Sequence, residues 1–234
     1  MIMANITVWT YVWIGLFIAD LILNLLAEWK IQRDPSAKNL KLRYISKPFL
    51  MLILIGMYIS GSTVPALLPI LALIFGCIGD ICLMFDKISK WFMVGTMGFF
   101  CGHICYIAYY ATTFGDLATF PWWRILLCIP VLLIFGVYAL PRINGKMPGL
   151  ENPLSTAYGA TLLLMSVITL FRYPSLSFMD ARVWLVWLGS VLFVCSDAVL
   201  SVDRYNHKIR DSMQFIMTTY AIGQALIAYG FLLM

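Results

Sequence analysis

Charge is what this chain has least of. Of its 234 residues only 12% are charged and 62% are hydrophobic, with a mean hydropathy of +0.89. A soluble domain carries about 25% charged residues, so that class is excluded and the bilayer is the solvent. Histidine is scarcer still, with His103 and His207 far apart in the chain. A zinc site would need ligands that the sequence does not supply, so no metal is expected. The six cysteines lie within apolar runs and form no C-x-x-C pair; they are expected to pack as small hydrophobes, not as a disulfide framework. No basic–aromatic tract accompanies the net charge of +5, which argues against nucleic acid as a partner. The N-terminus has no basic region before its first apolar run, so no cleaved signal peptide is expected.

What is present is a series of apolar runs of about 20 residues. They do not alternate like barrel strands, and backbone in lipid must satisfy its own hydrogen bonds, so they are helices. The fold expected is all-α: a polytopic membrane protein of eight transmembrane helices in a single transmembrane domain. The spans fall at 6–28, 46–60, 65–86, 91–113, 122–141, 152–172, 181–202 and 212–233. The second opens at Lys47-Pro48, where proline suits a helix's first turn. Thirteen Lys and Arg fall in the first, third, fifth and seventh loops, and only Arg124, Arg172 and Arg182 on the other side. The positive-inside rule therefore turns both termini away from the cytosol. Trp9, Trp13, Trp29, Trp91, Trp122, Trp123, Trp184 and Trp187 lie mostly near span ends, as aromatic belts do.

Against this background two carboxylates stand out. Asp80 lies inside the third span, where a charge costs about 2.5–3.5 kcal/mol on insertion scales and marks a functional site by default. Asp197 repeats it in the seventh. Gly79-Asp80, Leu83 and Asp86-Lys87 match Ser196-Asp197, Leu200 and Asp203-Arg204. Downstream, Gly102-His103 matches Gly223-Gln224. Upstream, Lys47-Pro48 loosely matches Asn152-Pro153. Two parallel four-helix repeats, over 1–115 and 120–234, would set Asp80 and Asp197 facing each other across an axis along the membrane normal.

Other polar residues share the cytosolic half: Asp20, Asn24, Lys47, His103, Glu151, Asn152, Tyr158, Tyr220 and Gln224. Asp80 lies about 7–9 Å deep at 1.5 Å per residue, with Asp197 at a similar depth. Each has a bland alternative. Lys47 either snorkels to the interface or points at the Asp pair or a lipid phosphate. His103 is either a helix contact or part of the site. Tyr158, Tyr220 and Gln224 either surround the pair or make simple interhelical hydrogen bonds. Asp86 and Asp203 read as solvated loop charges. Ser196 stands beside the pair without a clear Ser-His-Asp arrangement.

The order of these motifs, Lys-Pro in span 2, Gly-Asp in span 3, Gly-His-x-x-Tyr in span 4, Ser-Asp in span 7 and Tyr-x-x-x-Gln in span 8, resembles the YhhN family, whose animal members are lysoplasmalogenases. The resemblance runs from about Asp20 to Tyr229. It implies hydrolysis of the vinyl ether of a lysophospholipid substrate, giving a fatty aldehyde and glycerophosphocholine or glycerophosphoethanolamine. It places Lys47, Asp80, His103, Ser196, Asp197, Tyr220 and Gln224 at the family's polar positions. The chemistry suits an Asp pair. Vinyl ethers are acid-labile, and two nearby carboxylates in low dielectric do not both ionise readily, so one holds a proton for carbon while the other stabilises the cation. No cofactor is expected. The competing class is a proton-coupled transporter using the same pair. The membrane would be the endoplasmic reticulum in a eukaryote and the inner membrane in a bacterium.

Overall fold

Many apolar side chains face outward in this protein, and a set of polar ones faces inward beside the apolar core. Leu16, Ile18, Leu132, Leu133 and Val137 are exposed, while Asn24, Lys47, Asp80, His103, Arg124 and Gln224 are buried. That inversion is what a lipid solvent selects. The computed structural model describes residues 8–34, 36–85, 88–114, 118, 120–172 and 180–233. Eight helical segments cross the bundle: α1 (Val8–Arg33), α2 (Ala37–Gly61), α3 (Leu67–Leu83), α4 (Ser89–Ala111), α5 (Trp122–Ile143), α6 (Glu151–Ile168), α7 (Ala181–Tyr205) and α8 (Ser212–Leu232). Seven segments are long and apolar enough to cross a membrane, and α3 is apolar but shorter. The chain is a multi-pass integral membrane protein. Asp86 and Lys87 lie outside the described residues.

Three segments depart from the expected spans. Helix α2 does not open at Lys47-Pro48; it begins ten residues earlier and carries Pro48 inside. The polar stretch from Ala37 to Ser46, which hydropathy alone reads as loop, is continuous helix. Helix α3 is 17 residues, about 25 Å, and ends at Leu83 rather than at 86. Segment α5 is not one α-helix. It passes from 3-10 (Trp122–Leu127) through α (Cys128–Leu132) and π (Leu133–Ala139) back to α (Leu140–Ile143). Pro141 has no N–H to donate to the turn before it. The Arg142 guanidinium donates there instead, to the carbonyls of Tyr138 (2.6 Å) and Val137 (3.5 Å). Trp187 also leaves the expected belt and is buried.

Helices pack as α1 on α2, α3 on α4 and α7 on α8, with α4 against α6 and α2 touching both α3 and α8. Small residues set the closest crossings. A Cβ on Gly98 would sit 3.1 Å from the Gly79 nitrogen and the Phe75 carbonyl. One on Gly189 would sit 2.6 Å from the Gly223 carbonyl. The end away from the basic loops is tied by arginines. Arg124 donates to the carbonyls of Leu170 and Arg172, and Arg172 Nε to Thr113 Oγ1 at 2.9 Å.

Backbone is the obstacle at Gly189, so the clash cannot be relieved by a rotamer change. Gly189→Leu is expected to destabilise the bundle by about 3 kcal/mol or more. Gly15→Leu, at a position with nothing within 4 Å, should be neutral. Thermal unfolding of both variants in one detergent, followed by cysteine accessibility, checks the contrast.

Candidate active site

Asp80 is in the last turn of α3, 2% exposed. Two helices bring it partners. Lys47 of α2, 4% exposed, places Nζ 3.6 Å from Asp80 Oδ1. Tyr220 of α8 donates its hydroxyl to Oδ2 at 2.7 Å. Of the two readings open for Lys47, the structure has the inward one. The longer α2 is the reason: Lys47 is ten residues inside a helix, not at its tip, and its ammonium reaches the carboxylate rather than the surface.

Asp197, 9% exposed, lies on α7. Its partner is Tyr158 of α6, whose hydroxyl donates to Asp197 Oδ2. His103 of α4 stacks on Tyr158 with centroids 5.4 Å apart and brings Nε2 to 3.4 Å from its hydroxyl oxygen. Because that hydroxyl's proton is committed to Asp197, Nε2–H donates and the assigned tautomer leaves Nδ1 bare. His103 Nδ1 is buried without a hydrogen-bond partner among the described residues. The donor chain therefore runs His103 to Tyr158 to Asp197, ending on the carboxyl.

The two halves meet through aromatic rings. Phe193 stands edge-on to His103 (4.7 Å) and to Tyr220 (5.2 Å), and Phe99 packs on both Phe193 and Tyr220. Of the two aspartates, Asp197 lines a cavity among the described residues. This cavity, of about 40 Å³, is walled by Phe99, Phe135, Tyr158, Gly159 and Leu200. That volume admits water but not an acyl chain.

Four other residues of the expected polar cluster are not hydrogen-bonded to either carboxylate. Ser196 donates to the Ile216 carbonyl at 3.1 Å and holds α7 to α8. Gln224 accepts from Tyr106 at 2.8 Å and ties α8 to α4. Asn24 donates to Ser46 Oγ, so it joins α1 to α2, and Asp20 is on the same helix. Helix ends also differ from the equal depth expected: α3 stops three residues after Asp80, and α7 runs eight beyond Asp197.

Those extra turns carry a network that was invisible in the sequence. Arg204 pairs with Glu151 of α6 through Nη2 at 3.1 Å and lies 3.5 Å over the Phe92 ring. Glu151 also accepts from Ser89 (2.6 Å) and Tyr205 (2.9 Å). Asp203, expected to be solvated, is 9% exposed. It accepts from the Ile209 N–H and Lys208 Nζ, both at 2.7 Å, folding the chain after α7. The one available signal was spacing: Arg204 follows Asp197 by seven residues and so shares its helix face.

Among the described residues no group of three His, Cys, Asp or Glu side chains could hold a metal ion. No curated protein matches the chain, and no solved structure does. A model of the YhhN family matches residues 42–231, which span α2 from near its start through α8 and include both aspartates with their Lys47, Tyr158 and Tyr220 partners, and the chain belongs to the YhhN family.

Proposed function

We propose that this membrane protein hydrolyses the vinyl ether bond of a lysoplasmalogen, releasing a fatty aldehyde and a glycerophosphodiester. The observation that carries this reading is that the two buried carboxylates are unequal. Asp80 has an ammonium beside it, and Asp197 has no basic partner among the salt bridges of the described residues. Opposite charge favours the ionised carboxylate, so the pair's negative charge resides on Asp80 and its proton on Asp197. Asp197 is also the one that faces the cavity. It therefore takes the role of acid, which symmetry of the sequence left open.

In the first step the Asp197 proton goes to the vinyl β-carbon, and the ether oxygen shares the resulting positive charge. The new Asp197 carboxylate, held by the Tyr158 hydroxyl, and the fixed Asp80 charge stabilise this oxocarbenium ion, as paired carboxylates do in glycoside hydrolysis. Water in the small cavity then adds to the α-carbon and returns a proton to Asp197. The hemiacetal collapses, its C–O bond breaks, and aldehyde and glycerol hydroxyl leave. One water is consumed and no electron is transferred. For the chain to reach Asp197 the α5 wall must yield. Phe135 lies on its π-helical turn, against Gly159, and such turns recur at functional sites. The side of the bundle beyond the pair is filled by buried Tyr58, Tyr106, Tyr110 and Phe231. This filling favours hydrolysis over a proton-coupled carrier, which needs access from both faces. The membrane on this reading is the endoplasmic reticulum or a bacterial inner membrane, with the site toward the cytosol.

Aldehyde release from a lysoplasmalogen by the purified protein tests the reading. Asp197→Asn is expected to lower kcat by at least about 100-fold, the scale of general-acid catalysis. Asp80→Asn should do likewise. Folded, monodisperse variants that keep full activity would place the acid elsewhere, and an inactive wild type on both choline and ethanolamine substrates would remove the function itself. Tyr158→Phe deletes one charge-assisted hydrogen bond, worth about 1.5–3 kcal/mol. Its expected effect is a loss of about 10- to 100-fold in kcat with KM little changed. A change confined to KM would show that Tyr158 contacts the ground-state lipid instead.

A further inference from the structure

Beyond the Asp197 cavity, at the basic end of the bundle, lies a second and larger space. It measures about 470 Å³ and is lined by Lys146, Glu151, Asp203, Arg204 and Lys208, with Leu200, Arg204 and Tyr205 common to both spaces. The two therefore adjoin, and Arg204 lines both. Polar walls and size suit a headgroup, as apolar walls suit a chain.

Charge narrows the ligand. Three cations line this vestibule against two carboxylates, leaving one positive charge. Arg204 is matched by Glu151, and Lys208 by Asp203. Lys146 Nζ instead donates to a neutral acceptor, Asn206 Oδ1 at 2.5 Å. An ammonium with spare donors and an unmatched charge attracts an anion. A phosphodiester carries one negative charge and acceptor oxygens for several donors. Position supports the same ligand. Arg204 follows Asp197 by seven residues, about 10 Å along α7, so a group held at the vestibule leaves a glycerol backbone between itself and Asp197.

We infer that this vestibule is the site for the phosphodiester of a single-chain lipid, with Lys146 as the residue that supplies the unmatched charge and Lys208 as its partner. The inference rests on the proposed function for its substrate class and narrows the headgroup contacts to the fifth and seventh loops. It makes Lys146 a specificity residue, distinguishing phosphodiester lipids from neutral glycerol ethers. It does not depend on the headgroup beyond the phosphate.

The test is binding, read with lipids that cannot be cleaved. Wild-type protein in detergent is titrated with a saturated alkyl-ether lysophosphocholine, with the alkylglycerol of the same chain, and with chainless glycerophosphocholine. The lysolipid is expected to bind about tenfold or more tighter than the alkylglycerol. Lys146→Gln with Lys208→Gln should remove most of that difference and leave alkylglycerol binding intact, which also reports a folded protein. Lys146→Arg should restore it. Equal affinity for the two lipids in wild type, or an unchanged difference in the double variant, would overturn the proposal. Glycerophosphocholine binding as tightly as the lysolipid would overturn the lipid assignment in favour of free phosphodiesters. Phosphate-dependent binding without aldehyde release would sink the hydrolase and leave this site standing.

Discussion

The Lys47–Asp80 contact is the constraint on which the arrangement depends. Both groups are removed from water, and stripping an ion of its hydration costs several kcal/mol even after relaxation. At 3.6 Å the mutual attraction offsets that only if the remaining oxygens are also satisfied, and Tyr220 supplies the second bond. The pair thus requires α2, α3 and α8 in one register. Losing one partner of such a pair costs about 3–5 kcal/mol because the other charge stays buried and alone. On the proposed reaction it also bears on the chemistry, since a negative charge held at Asp80 would disfavour a second one at Asp197 in low dielectric.

The sequence repeats what the chemistry does not. In the frame that aligns Gly102 with Gly223, Tyr220 falls on Phe99, and Lys47 falls on Asn152 in the upstream match. Asp197 therefore has neither counterpart of the partners that hold Asp80. It takes its tyrosine from α6 instead, and that tyrosine is backed by His103 from α4. Phe99 and Tyr220 pack edge to face between the two. Similar scaffolding thus surrounds the two carboxylates with unequal partners, and that inequality is what the proposed acid mechanism uses.

How much of this could be read in advance follows from which forces act locally. Eight apolar runs gave the helices, because hydropathy is a local property and the bilayer enforces it. Asp80 and Asp197 were legible for the same reason: a carboxylate in an apolar run is anomalous wherever it lands. The start of α2 was not, because Ala37–Ser46 is polar helix outside the apolar window, and Pro48 looked like a beginning when it is an interior residue. The irregular α5 was hidden too, since the i→i+5 register depends on carbonyl partners that composition does not reveal. Ser196 misled by adjacency, as neighbours on a helix point in different directions and its hydroxyl serves the α7–α8 crossing. Asp203 and Arg204 were discounted by their place at a span end, when both are organised by groups distant in sequence or in the turn that follows.

Helix length is what sets the two buried carboxylates in different surroundings. Helix α3 ends three residues beyond Asp80, and Asp80, closed in by Lys47 and Tyr220, lines neither the cavity nor the vestibule. Helix α7 continues for two more turns past Asp197. Those turns carry Leu200 and Arg204, which line both spaces, and Arg204 pairs with Glu151 and lies over the Phe92 ring. Asp197 thus borders the cavity while Asp80, likewise buried, does not. On the proposed reaction this matters, because a hydrated Asp80 would be screened and its hold on a proton at Asp197 would weaken with the rise in local dielectric. The cover over Asp80 and the opening beside Asp197 are on that reading one design, set by where two helices stop.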